Sequence, residues 1–178
     1  PRATHAPLLA RLEDTRRLLA MAYGSLLAHN DAQRDTPSDA RNDVGPAGEW
    51  LLDNYHVIEE HIHEVRASLP RRYYRELPEL ATGPLAGYPR VYELAITLIS
   101  HSEGRIDEAN LENFLSAFQD GAGLTLGELW AVPAMLRLGL IENVRRMSLR
   151  TTQRLAEVAR ADEAAAHITL AAAEGRAA

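Results

Sequence analysis

Residues 48–70 read GEWLLDNYHVIEEHIHEVRASLP. Within them Leu51, Tyr55, Ile58, Ile62, Val65 and Leu69 recur at alternating steps of four and three, the signature of one face of an α-helix. The opposite face carries Asp53, His56, Glu59, Glu60, His63 and Glu64. Pro46 suits the first turn of such a helix and Pro70 ends it. The pattern predicts an amphipathic second helix whose Tyr55, Ile58 and Ile62 meet Leu129, Leu136 and Leu140 from further along the chain.

The same spacing appears upstream in Leu8, Leu12, Thr15, Leu19, Ala22 and Leu26, a first helix ending near His29 or Asn30. Residues 31–46, DAQRDTPSDARNDVGP, read as a solvated polar loop. Downstream, residues 70–88 hold three prolines and two glycines, so they read as a connector with at most a short helix over Arg72–Leu77. Pro89 opens a third helix through Val91, Leu94, Ala95, Leu98 and Ile99 to His101, and Gly104 ends it. Asp107 is the expected N-cap of a short helix carrying Leu111, Phe114, Leu115 and Phe118. Thr125 and Glu128 have capping-box spacing. They open a fifth helix with Leu129, Leu136, Leu140 and Val144, bent at Pro133. From Arg150 the chain is rich in alanine, the best helix former, and reads as a helical continuation. No stretch sustains period-two alternation. The fold class is therefore all-α: about five helices in a bundle with a Pro/Gly-rich, tyrosine-containing connector. Residues 1–150 read as one helical domain and 151–178 as an alanine-rich extension.

Composition narrows the chemistry. The 178 residues are 46% hydrophobic and 25% charged, in the range of soluble globular chains. With no cysteine there is no disulfide, thiolate metal site or cysteine nucleophile. All 19 basic residues are arginine, which removes the P-loop lysine and any lysine Schiff base. The net charge of −6 argues against a nucleic-acid partner, and the Leu126–Arg146 stretch is apolar on too many sides for a recognition helix. Leu124–Ile141 is interrupted by Glu128, Pro133 and Arg137, so it is not a membrane span. No charged-then-apolar leader opens the chain. A start at Pro1 instead of Met suggests a processed chain or a piece of a longer one.

Three constellations are candidate sites. His56, Glu60 and His63 share one side of the second helix, and Glu60 with His63 has the Glu-x-x-His spacing of di-iron bundles. A di-metal centre needs that motif twice and it occurs once, so the residues read as a solvated acidic face, with no metal or other cofactor expected. Ser25, Ser100 and Ser102 lie near Gly or His, but there is no Gly-x-Ser-x-Gly elbow, and His101 reads as a helix C-terminal cation. No catalytic residue is assigned. In the connector, Tyr73, Tyr74, Tyr88 and Tyr92 lie among Arg71, Arg72, Arg75 and Arg90. Packing is the simpler use of those rings, with Tyr88 and Tyr92 expected to be largely buried. Tyr73 and Tyr74 would diverge on a short helix, one of them reaching solvent beside Arg72 or Arg75. Tyr73, Tyr74, Arg72 and Arg75 are accordingly the candidate sugar contacts.

Four phrases taken together carry a resemblance: residues 48–70 above, YYRELPEL (73–80), GPLAGYPRVYELA (83–95) and LTLGELWAVPAMLRLGLIENVRR (124–146). They resemble the N-terminal region of cyclic β-1,2-glucan synthases, large inner-membrane glycosyltransferases of Gram-negative bacteria. The resemblance spans roughly residues 8–150. It implies a parent enzyme that builds glucan from UDP-glucose on a protein-attached chain and then cyclises it. The transferase core, membrane helices and phosphorylase-like domain would lie downstream. Neither Asp-x-Asp nor Gln-x-x-Arg-Trp occurs here. The chain then looks like a non-catalytic accessory segment on the cytoplasmic face, in contact with other domains of its own polypeptide, or alternatively with the growing glucan. His61 and His63 depart from the Gln and Arg expected in the family.

Overall fold

All six positions of the first apolar stripe, Leu8, Leu12, Thr15, Leu19, Ala22 and Leu26, are buried along one helix, α1 (Pro7–Ala32). The computed structural model describes residues 7–34, 44–102, 104–121 and 123–177. Residues 35–43 of the expected polar loop lie outside them. Five further helices follow: α2 (Gly45–Ser68), α3 (Arg71–Tyr74), α4 (Arg90–His101), α5 (Glu108–Gly121) and α6 (Leu126–Ala177). Among the described residues there is no strand, and the chain is all-α.

Helix ends form where the local chemistry places them. Asp107 accepts the Asn110 amide at 2.8 Å and so caps α5. Thr125 and Glu128 close the capping box from both sides, at 2.9 and 3.2 Å. Gly104, at φ +78°, donates its amide to Ile99 O at 2.9 Å, a left-handed ending of α4 that a side chain would strain. The connector folds back on itself: Leu80 N–H donates to Tyr88 O, Gly87 N–H to Leu80 O and Arg90 N–H to Pro78 O. α6 runs for 52 residues with Pro133 inside it, so the fifth helix and its alanine-rich continuation are one element.

The chain divides into two compact units, Pro1–Leu18 with His56–Val144, and Leu19–Tyr55 with Arg145–Ala178. In the first, the core is built from Ile58, Ile62, Val65, Leu69, Val91, Leu94, Leu98, Met135 and Leu138, all buried. Gly139 is where α4 and α6 come close: a Cβ there would sit 2.5 Å from Ile99 Cδ1. In the second unit, Leu19, Ala22, Leu26, Val44 and Leu51 are buried, and the Tyr23 and Tyr55 rings stack at 4.3 Å.

Two expectations about the core need correction. Tyr55 is only half-buried: its ring is used sideways, against Tyr23. On α6, Leu129 and Leu140 are also half-buried, while Ala131, Met135 and Leu138 are at most 1% exposed. From Ala131 to Glu142 this helix is covered on most sides, so a single stripe misjudges its face.

Candidate functional site

The four candidate sugar contacts sit on and just after α3. Pro70 has an extended backbone and hands the chain into the helix, whose single turn points adjacent side chains about 100° apart. Tyr74 takes the inward position at 1% exposure. Burial pushes its phenol up to about 12. Its hydroxyl has no hydrogen bond of ordinary geometry, although the Leu8 amide is near enough to act on it. Tyr73 is half-buried, its phenol raised by burial, and its hydroxyl donates to the Gly127 carbonyl at the start of α6. Arg72 and Arg75 are exposed. Arg72 lies 3.6 Å from Glu76 in an open ion pair, and Arg75 Nε donates to Arg71 O at 3.3 Å. The structure thus keeps Tyr73, Arg72 and Arg75 at the surface and removes the Tyr74 ring from it.

The other two connector tyrosines serve packing unequally. Tyr92 is buried at 5% exposure, whereas Tyr88, expected to be largely buried, is half-buried and stacks on Tyr92 at 5.8 Å. Gly87 (φ +82°) turns the chain just before Tyr88, whose ring lies against Tyr92 of α4.

Buried charge nearby is spent on joining helices. Glu128 is fully buried, and Arg90 grips both its oxygens at 2.9 and 2.8 Å. Burial pulls the Glu128 carboxyl up, but hydrogen bonds from Arg90 and from the Thr125 amide and hydroxyl outweigh it and hold the group below its usual range. Arg90 also donates to Gly123 O and lies 5.8 Å from the Phe118 ring centre. Glu142, 7% exposed, accepts both arms of Arg11, at 3.1 and 3.0 Å, and the Thr15 hydroxyl at 2.8 Å. The capping box was legible in sequence. The Glu142–Arg11–Thr15 cluster was not, because Glu142 lies more than 120 residues from both of its partners.

His56, Glu60 and His63 are all exposed. Among the described residues no group of three or more His, Asp or Glu side chains is placed to hold a metal ion. The Ser100 and Ser102 hydroxyls donate to Thr97 O and Leu98 O of their own helix, and His101 Nδ1 donates to Thr97 O at 2.8 Å. These side chains finish α4 and form no triad. Sequence reading passed over Trp130 and Leu126, which stand 73% and 66% exposed on the first turns of α6. In so apolar a segment nothing in the residue types marks which positions face water.

No family model matches the chain. Over 112 residues, 63% of its length, the chain is 43% identical to the cyclic β-(1,2)-glucan synthase NdvB of Rhizobium meliloti (strain 1021). At that identity this region is related to that protein. The matched stretch spans 4% of the relative's length. No described helix is long and apolar enough to cross a membrane.

Proposed function

We propose that the chain is a non-catalytic helical accessory segment of a cyclic-glucan-synthase-like glycosyltransferase, one that holds or docks the transferase core. Its partners are other domains of the same polypeptide, and its place is the cytoplasmic face of the bacterial inner membrane. The relationship to a glucan synthase supports the parentage. The non-catalytic part rests on how buried charge is used. Glu128 and Glu142, the buried carboxylates among the described residues, are each gripped by two nitrogens of one arginine and by a threonine hydroxyl. A general acid or base needs a carboxyl poised toward substrate. The test is incubation of the pure chain with UDP-glucose and Mg²⁺ followed by product analysis. No glucan is expected, and glucan formation overturns the reading. Binding of the chain to a separately produced transferase core, measured by co-sedimentation, tests the docking role.

A second reading is favoured by one observation: Arg72 and Arg75 are exposed and close in sequence to Tyr73, whose hydroxyl is tied down. In it the segment also contacts the growing glucan.

A further inference from the structure

Beyond Val144, α6 carries its arginines on the outside. Counted at 100° per residue, Arg146, Arg150, Arg154 and Arg160 fall within about 120° of one another around the helix, and all four are exposed. On the other side Ser148 is buried, and Thr151, Thr152, Leu155 and Val158 are half-buried. That side packs inward: Thr151 Cγ2 lies 3.4 Å from where a Cβ on Gly48 of α2 would sit. Met147, 54% exposed, and Leu149, 37% exposed, border the arginine arc at its two edges. At 1.5 Å per residue the face runs about 21 Å along the axis. One carboxylate, Glu157, interrupts it, accepting from the Gln153 amide at 3.0 Å.

Arginines elsewhere are spent on carboxylates: Arg11, Arg16 and Arg90 each hold a glutamate of another helix. On this face the charge is left over. Arg160 Nε donates to Ala156 O of its own helix, and among the described residues neither it nor Arg150 nor Arg154 pairs with a carboxylate. We propose that this face of α6, from Arg146 to Arg160 with Met147 and Leu149 at its edges, lies on an anionic lipid surface. The proposal rests on the membrane-face placement above for its setting and assigns the surface that makes the contact. A row of cations on one helix face, with apolar side chains beside it, suits a helix lying in the interface plane. Lipid headgroups move laterally and can gather under dispersed guanidinium groups. The core of a protein interface is instead depleted of charge. The net charge of −6 does not oppose the contact, because exposed charges more than about 8 Å away are screened at physiological salt.

Co-sedimentation of the chain with lipid vesicles tests this, using phosphatidylcholine alone and an equal mixture with anionic phosphatidylglycerol. The chain is expected to pellet with the mixed vesicles, not with phosphatidylcholine alone, and to be released as salt is raised. Arg150→Gln, Arg154→Gln and Arg160→Gln combined should weaken partitioning about a hundredfold, at about fivefold for each cation lost near an anionic surface. Arg17→Gln, Arg34→Gln and Arg105→Gln combined remove the same charge from exposed positions elsewhere and should weaken it about twofold at most. Lysine at positions 150, 154 and 160 should bind as the unaltered chain does, because headgroups respond to charge, whereas fixed carboxylates matched to a guanidinium fork would not. Melting should be unchanged in all three variants, whose altered side chains are exposed. If the first glutamine variant melts lower, the lysine variant and the salt dependence still decide. No binding to the mixed vesicles overturns the proposal and leaves the accessory reading standing, since that turns on the transferase core. Equal loss in the two glutamine variants, loss in the lysine variant, or binding indifferent to salt also overturns it. Self-association that the first glutamine variant abolishes, without vesicle binding, identifies the face as a contact between copies and overturns it too.

Discussion

Ile62 is 2% exposed whereas its neighbour His63 lies open to water, so one helix position separates a core group from a solvated one. Ile62→Ala should cost about 2–5 kcal/mol, the usual range for emptying a buried site. His63→Ala should stay within about 0.5 kcal/mol. Urea melts of the two variants check this, and equal midpoints would mean that the helix face is wrongly assigned. Tyr74 gives a different kind of residue-level effect. Burial holds its phenol up at about 12, so the folded chain keeps a proton that the unfolded chain releases near pH 10. The stability linked to that proton is complete below about pH 10 and is lost as pH rises through the raised value. Tyr74→Phe should flatten the alkaline fall in melting temperature between about pH 10 and 12. At neutral pH it should be neutral or stabilising by about 1 kcal/mol, because a buried hydroxyl without a good partner is removed. A loss of several kcal/mol at pH 7 would show that the hydroxyl holds the start of α1.

Among the elements, α6 is the least uniform. Between Ala131 and Glu142 it is covered on most sides, yet residues 159–173 are exposed without exception. A helix in water gains little beyond its own propensity, which alanine maximises, so this end is helical by composition and not by packing. Removing residues 159–178 should therefore lower total helical ellipticity while moving the melting temperature by no more than about 2 °C. A larger drop would mean that the exposed end is covered in solution. α5 lies between these extremes: Leu111, Phe114, Leu115 and Phe118 are only half-buried, and the Arg90 guanidinium lies near the Phe118 ring. Its spacing was readable, but how deep it packs depends on neighbours that the spacing does not name.

At the scale of the whole molecule, stability at low pH depends on the buried Glu128 carboxylate. The Glu128 carboxyl is held below its usual range in the fold, so the unfolded chain takes up the proton first as pH falls. The stability it contributes is present above about pH 4.3 and is lost as pH drops through the depressed value. Glu128→Gln should melt lower than the unaltered chain at pH 7, with the gap narrowing below about pH 4.3. A gap that stays constant with pH would mean that the Arg90 pair contributes nothing through its charge. What the sequence determined alone is what depends on neighbours a few residues apart: the stripes of α1 and α2, the caps at Asp107 and Thr125, the break at Gly104, and the all-α class. These follow from the 3.6-residue period and from hydrogen bonds that close within one turn. Only the tertiary structure decided which of two adjacent tyrosines is buried, that Tyr55 stacks on Tyr23, that Arg11 and Thr15 meet Glu142, and that Trp130 faces water. Each of those is set by contacts between segments far apart in the chain, and local periodicity carries no record of them.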